Sequence, residues 1–126
     1  MVDHVAGATI DGKTPAAAWL AGMQDASRHE NVFIKVSALA EGAARSGKPA
    51  PADVDYYRPT LGALWTLFGD DRLMYGSNWP VCERAGDYAT VIQIVRTYVD
   101  GRGKESQRKF FAGTAGKAYQ WVNRGG

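Results

Sequence analysis

The chain has 126 residues, a length that fits one domain and is sufficient to bury a hydrophobic core. Its 15 basic and 13 acidic side chains give a net charge of +2 and are scattered, which argues against nucleic acid or a membrane as a partner. The single cysteine, Cys82, excludes an intrachain disulfide and a thiolate zinc cluster, and it favours a reducing, cytoplasmic setting. Because no long apolar segment occurs near the N-terminus, we expect neither a signal peptide nor a membrane span.

The first predicted elements are a strand end, a helix and a second strand. Residues 2–4 are typical of the tail of a strand. Thr14-Pro15 predicts the start of a helix that runs to about residue 29, with the threonine as its N-cap. The β-branched segment 31–37 predicts a strand whose polar face carries Lys35 and Ser37.

The segment 38–57 is rich in Ala, Gly, Pro and small polar residues, which predicts a long loop. A loop of this length in a compact domain is either functional or a mobile connection. Because it follows the carboxyl end of a strand, a lid over a substrate and a plain surface connection are both open interpretations.

The rest of the chain predicts four further helices and one strand. Pro59 opens a helix that ends at Gly69, and its apolar residues recur at i, i+3, i+4 and i+7. The strand Arg72–Tyr75 follows it. The next predicted helix carries Tyr88, Val91, Ile92, Val95 and Val99 on one face. A short helix after Ser106 uses Phe110 and Phe111, and a last helix over about Thr114 to Val122 has Ala115, Ala118, Tyr119 and Val122 aligned.

This alternation predicts one α/β domain over residues 1–126, with parallel strands and right-handed crossovers. Parallel strands bring their carboxyl ends to one edge of the sheet, so His4, Lys35, Ser37 and Asn78 are expected to emerge together. Strand alternation also places Gly76 on the same face as Asn78, which predicts open space beneath Asn78 for a ligand.

Four segments in chain order resemble one family. Asp3-His4-Val5-Ala6-Gly7 is similar to its "DH-apolar-x-G" segment, and residues 31–39 are similar to its "N-V-x-x-K-x-S-x-L" strand. Residues 68–82 are similar to its "F-G-x-D-R-x-M-x-G-S-D-W-P-V-C", and Phe110–Ala115 to "F-x-x-N-A" with a following tyrosine. On these motifs the chain resembles the amidohydrolase-related proteins, which are TIM-barrel hydrolases that include sugar-lactone and pyrone-dicarboxylate lactone hydrolases.

The resemblance implies that the chain is the C-terminal part of a TIM (β/α)8 barrel, about strands six to eight with their helices. A complete barrel takes about 250 residues, so this chain would supply about half of one. The family's His-x-His pair does not occur, because the histidines are His4 and His29 alone, and His29 is expected to be an exposed surface residue.

The resemblance also implies roles for individual residues. His4 matches the strand-six histidine, a metal ligand or substrate contact, and the implied metal is zinc or manganese. Lys35 and Ser37 would contact the substrate, with Lys35 attracting an anionic group. Trp79 either lines the pocket or packs, and Asn78 matches the aspartate that activates water or binds metal.

Asn78 is the most consequential departure from the family pattern. An amide supplies neither a general base nor a strong metal ligand. Three interpretations stay open: another group is the base, Asn78 only orients water or substrate, or activity is lost. Cys82 is interpreted as a small buried residue rather than a nucleophile, because no obvious base lies near it in sequence.

The expected function is hydrolysis of a lactone or similar cyclic ester by water attack. The alternative is an inactive half-barrel that acts by association with another chain, because three parallel strands leave two unpaired edges. The expected partners are a small-molecule substrate and either a second copy or the missing N-terminal half. A flavodoxin-like binding domain fits less well, because Pro80 lacks an amide donor for a phosphate-binding turn.

Overall fold

A computed structural model describes residues 1–122 of the chain. Its sheet contains two regular parallel strands, β1 (Ile34–Val36) and β2 (Leu73–Tyr75), in the register Ile34↔Leu73, Lys35↔Met74 and Val36↔Tyr75. Val2 extends the sheet on the other side of β1 through a parallel bridge to Ile34. All three predicted strands are therefore present, but the first is a single bridging residue and the second is shorter than predicted.

Six α-helices surround this sheet within the described residues: α1 (Ala17–Ser27), α2 (Leu39–Ala44), α3 (Arg58–Phe68), α4 (Tyr88–Asp100), α5 (Lys104–Arg108) and α6 (Thr114–Ala118). A π-helical turn at Lys109–Gly113 joins α5 to α6, and short 3-10 segments lie at His4–Gly7, Val54–Tyr56 and Val81–Arg84. No helix in residues 1–122 combines the length and the apolar character that a membrane crossing requires.

The predicted start of the first helix is wrong. The helix begins at Ala17 rather than at Thr14-Pro15, and Ala16 occupies the N-cap without a side-chain hydrogen bond. Pro15 is a buried residue of the irregular segment that precedes α1. Tertiary packing of Pro15 therefore overrides the local capping signal.

The prediction of a long loop over residues 38–57 is wrong for its first part, whereas residues 45–53 contain no helix or strand, as predicted. The helix α2 begins at Leu39, directly after β1, and it buries Leu39, Ala40, Gly42 and Ala43. Small residues allow this helix to approach closely: a Cβ at Gly42 would lie 2.8 Å from the carbonyl oxygen of Ala8. Composition indicated a loop, but the small residues serve close packing here.

The helix α3 forms as its pattern predicts. It buries Leu61, Leu64, Trp65 and Phe68 against the sheet, and Gly69 ends it with a positive φ of 65°. The helix α4 is capped by Asp87, whose side chain accepts from the backbone N–H of Thr90 at 3.0 Å.

The buried face of α4 differs in part from the predicted one. It contains Val91, Ile94, Val95, Tyr98 and Val99. Ile94 and Tyr98 are additions, and Tyr88 is 41% exposed rather than part of the stripe. The last helix is wrong in length, because α6 ends at Ala118 and Val122 is 80% exposed outside it.

Two charged residues at the start of β2 tie the helices to the sheet. Asp70 accepts hydrogen bonds from Trp65 Nε1 and from Ser106 Oγ, both at 2.8 Å. Arg72 donates to the carbonyl oxygens of Ser27 at 3.0 Å and His29 at 2.9 Å, at the C-terminal end of α1. Much of the "F-G-x-D-R" segment therefore fixes the fold, and the residues that could carry chemistry lie beyond the carboxyl end of β2.

Candidate functional site

The carboxyl ends of the three strands lie together at one edge of the sheet. His4 follows Val2, Ser37 follows β1, and residues 76–79 follow β2. Because the three strands run parallel, these side chains converge at one edge, which is where α/β enzymes place their chemistry.

His4 and Ser37 form one side-chain pair of this edge. His4 Nδ1 lies 2.8 Å from Ser37 Oγ, with the donor set by the histidine tautomer. Ser37 is 2% exposed, whereas His4 is exposed. The ring is therefore held through one nitrogen, and Nε2 stays available to a ligand. The predicted roles of His4 as catalytic group and metal ligand, and of Ser37 in substrate binding, stay predictions.

The turn that carries His4 has an uncommon backbone. His4, Val5 and Ala6 have φ values of 53°, 45° and 54°, in the left-handed region that residues other than glycine rarely adopt. Two donors hold this turn: Trp19 Nε1 donates to the carbonyl of Val5 at 2.9 Å, and the Arg45 guanidinium donates to the carbonyl of Gly7. Such conformations persist where surrounding contacts determine them, and they occur frequently at functional sites.

Lys35 has an internal partner. Its Nζ lies 2.8 Å from Asp3 Oδ1, and its side chain is 29% exposed. The hydrogen bond with Asp3, followed by the neighbouring Tyr119 hydroxyl, raises the pKa of the Lys35 ammonium above its ordinary value. The ammonium is therefore cationic at neutral pH and already paired, and its role in attracting an anionic substrate group stays a prediction.

The predicted open space at Gly76 is absent. A Cβ at Gly76 would lie 3.0 Å from Lys35 Cγ and Cδ and 3.0 Å from Ser37 Cβ. The missing side chain makes room for these two neighbours, which cross from β1 over the end of β2. Gly76 thus serves the packing of the site's side chains, and a ligand cannot use that volume.

Asn78 contacts a carboxylate that the sequence interpretation missed. Its φ of 58° is left-handed, and its Nδ2 donates to Glu41 Oε1 at 2.6 Å. Glu41 Oε2 is buried and accepts no hydrogen bond within the described part of the chain. The loop predicted for residues 38–57 does not single out Glu41, which lies in α2. The available signal was an acidic residue in the first turn of a helix that follows a strand.

Trp79 is 63% exposed and lies beside this edge rather than in the core. Its Nε1 is 3.3 Å from Glu83 Oε1, and together with Ser77 and Tyr88 it lines an open cavity of about 350 Å³. Trp79 is thus accessible to a ligand, as the pocket-lining interpretation requires, and its role in substrate binding stays a prediction.

Cys82 is fully buried, and burial raises the pKa of its thiol, with the Glu41 charge as a further cause. A buried thiol with a raised pKa is a weak nucleophile. His29 is exposed, as expected.

The residues present do not by themselves fit a metal ion. Residues 1–122 contain no group of three or more His, Cys, Asp or Glu side chains arranged to hold one. His4 Nε2 would supply one ligand, and the Asn78 amide faces Glu41.

Comparisons with known proteins agree with the fold. A family model described as "Amidohydrolase" matches residues 1–121. The chain is 33% identical over 108 residues to an L-fucono-1,5-lactonase of Burkholderia multivorans, and the alignment covers 84% of this chain and 36% of that protein. It is 31% identical over 125 residues to an L-fucono-1,5-lactonase of Burkholderia ambifaria, and this alignment covers 95% of this chain and 41% of that protein.

A crystal structure of an amidohydrolase from Burkholderia multivorans with bound zinc is also similar. It matches at a TM-score of 0.83 and 29% identity, over 95% of this chain and 43% of that one. The chain therefore belongs to the amidohydrolase family, and its α/β architecture is part of a TIM (β/α)8 barrel, as predicted. It spans 36% and 41% of the lengths of the two lactonases that it matches.

Proposed function

We propose that the chain contributes the strand-end side of a lactone hydrolase site, at which water opens a cyclic ester. The observation that carries this proposal is the convergence of the His4–Ser37 pair, the Lys35 ammonium and the Asn78–Glu41 pair at one edge of a parallel sheet. The names of the two relatives suggest L-fucono-1,5-lactone as the first substrate to test.

The proposed roles of His4, Lys35 and Asn78 follow from the chemistry of each side chain. His4 Nε2 polarises the lactone carbonyl by donating a hydrogen bond to its oxygen, because Nδ1 is held by Ser37. Lys35, whose ammonium lies 2.8 Å from Asp3 Oδ1, supplies a positive charge that stabilises developing negative charge on oxygen. Asn78 holds the water or a substrate hydroxyl through its amide.

The experiment is acid release from L-fucono-1,5-lactone by the purified chain at neutral pH, with and without added zinc or manganese. We expect release above the buffer background. A rate equal to background under every condition would refute the catalytic proposal for this chain.

A second candidate role is association with another polypeptide that completes the barrel. Within residues 1–122, Val2 pairs with β1 alone and β2 pairs with β1 alone, so both outer edges of the sheet stay open. Open parallel edges invite pairing with further strands. Size-exclusion chromatography with light scattering is expected to give a species larger than 13.6 kDa, whereas a stable monomer would contradict this role.

A further inference from the structure

The carboxylate of Glu41 is held by a rigid backbone. The helix α2 is pinned where Gly42 N donates to the Ala38 carbonyl at 2.9 Å and where the Gly42 carbonyl accepts from Ile10 N at 3.1 Å. Ala40 and Ala43, on either side, are 1% exposed. A side chain mounted on such a packed segment is placed at low cost in conformational entropy.

The hydrogen bond to Glu41 determines which way the Asn78 amide faces. An ionised carboxylate only accepts hydrogen bonds, so the Asn78 atom 2.6 Å from Oε1 is the donor Nδ2. The opposite orientation would bring Oδ1 against a negative oxygen. Nδ2 is therefore turned toward α2, and Oδ1 is left as the acceptor for whatever binds at the strand ends.

Glu41 is poorly explained as a stabilising residue. Its Oε2 is buried, and no donor within residues 1–122 contacts it. A buried carboxylate oxygen without a donor costs free energy of folding, and a neutral side chain of the same shape would avoid that cost. A buried carboxylate oxygen without a donor, on a residue bonded to Asn78, therefore indicates a functional rather than a stabilising role.

We propose that Glu41 is the positioning residue for Asn78: it holds the amide so that Oδ1 is presented as a hydrogen-bond acceptor to the attacking water or to a substrate hydroxyl. The catalytic consequence rests on the function proposed above. The carboxylate of Glu41, 2.6 Å from Nδ2, also polarises the amide, which strengthens Oδ1 as an acceptor.

This pairing accounts for the departure at Asn78. An aspartate at position 78 would set two carboxylates at hydrogen-bond distance, and like charges that close cannot both stay ionised. An amide at position 78 removes the conflict and keeps one carboxylate in the pair. Glu41 and Asn78 are therefore matched, and exchanging them should preserve the pair.

The orientation is tested by NMR of the Asn78 side-chain amide, which is assigned by its disappearance in Asn78→Asp. We expect one downfield, slowly exchanging Nδ2 proton that moves upfield in Glu41→Gln, because a glutamine amide can donate or accept and no longer dictates the orientation. Glu30→Gln, the same change at an exposed position, should leave the signal in place. An Nδ2 signal that is identical in wild type and Glu41→Gln would overturn the proposal.

Stability and activity provide the second readout. Glu41→Gln should keep or raise Tm while lowering kcat/KM for lactone opening about 10- to 100-fold, as for other residues that orient active-site ligands. The exchanged pair Glu41→Gln with Asn78→Asp should recover activity relative to Glu41→Gln. A fall in Tm that parallels the loss of activity, or no recovery in the exchanged pair, would show a merely structural role. If wild type lacks hydrolysis, the proposed function fails, and the NMR result still decides the orientation.

Discussion

Replacing Gly76 by alanine is the sharpest test of how the strand ends are packed. An ideal Cβ at this position meets three carbon atoms at 3.0 Å: Lys35 Cγ, Lys35 Cδ and Ser37 Cβ. Carbon atoms prefer separations of about 3.5–4.0 Å, so each neighbour must move by about 0.5–1 Å. Ser37 Cβ is fixed by its backbone, which leaves Lys35 and the end of β2 to absorb most of the change.

The expected cost follows from this overlap. Overpacking a well-packed site costs about 1–3 kcal/mol, and the neighbours of the half-buried Gly76 are already in close contact. For a chain of this length, 1 kcal/mol shifts Tm by about 3–5 °C, so Gly76→Ala should lower Tm by about 3–15 °C. The displaced Lys35 should also weaken its contact with Asp3, which is 2.8 Å long in the wild type, and this predicts a changed chemical shift of the Asp3 carboxyl carbon.

Thermal unfolding followed by circular dichroism measures this effect, with Gly22→Ala as the matched control. Gly22 lies inside α1, and a Cβ there would meet nothing within 4 Å. Because alanine favours helix by about 1 kcal/mol over glycine, the control should raise Tm. If Gly76→Ala were as stable as wild type, the close packing of β1 side chains over Gly76 would be wrong.

Three further changes test the contacts that organise the fold. Asp70→Asn should cost about 1–3 kcal/mol in urea unfolding, because an amide cannot accept from both of its buried donors. Arg72→Met should cost about 2–3 kcal/mol through its lost bonds to backbone carbonyls, while the exposed Arg28→Met should stay within about 0.5 kcal/mol; equal losses would contradict that assignment. The Lys35 hydrogen bond lowers the pKa of the Asp3 carboxyl below 3.8, and the same contact raises that of Lys35 above 10.5. The contact should therefore stabilise the fold fully between these values, weakening as pH falls below the first or rises above the second, and Asp3→Asn should flatten both limbs of the stability–pH curve.

The parts of the fold that the sequence predicts well are those with a strong local period. The helix α3 follows from its apolar spacing and its glycine stop, and β1 and β2 follow from short β-branched or apolar runs. The start of α1 and the whole of α2 cannot be predicted from a local period. Burial of Pro15 and the close approach of Gly42 to Ala8 depend on distant parts of the chain.

The same distinction applies to the candidate site. Parallel topology is enough to predict that His4, Ser37 and Asn78 share one edge. It does not predict partners, because Glu41 reaches Asn78 from a position 37 residues away. Strand alternation predicts which face of the sheet Gly76 lies on. It does not predict that the side chains of Lys35 and Ser37 occupy the space next to Gly76.

The most direct measurement of the central claim is the rate of acid release from L-fucono-1,5-lactone by His4→Gln and His29→Gln, compared with wild type. Both variants remove one histidine, but only His4 lies at the strand ends, and His29 is exposed away from them. We expect His4→Gln to lose most of the activity and His29→Gln to retain the wild-type rate. Equal rates in the two variants would contradict a hydrolytic site at this edge of the sheet.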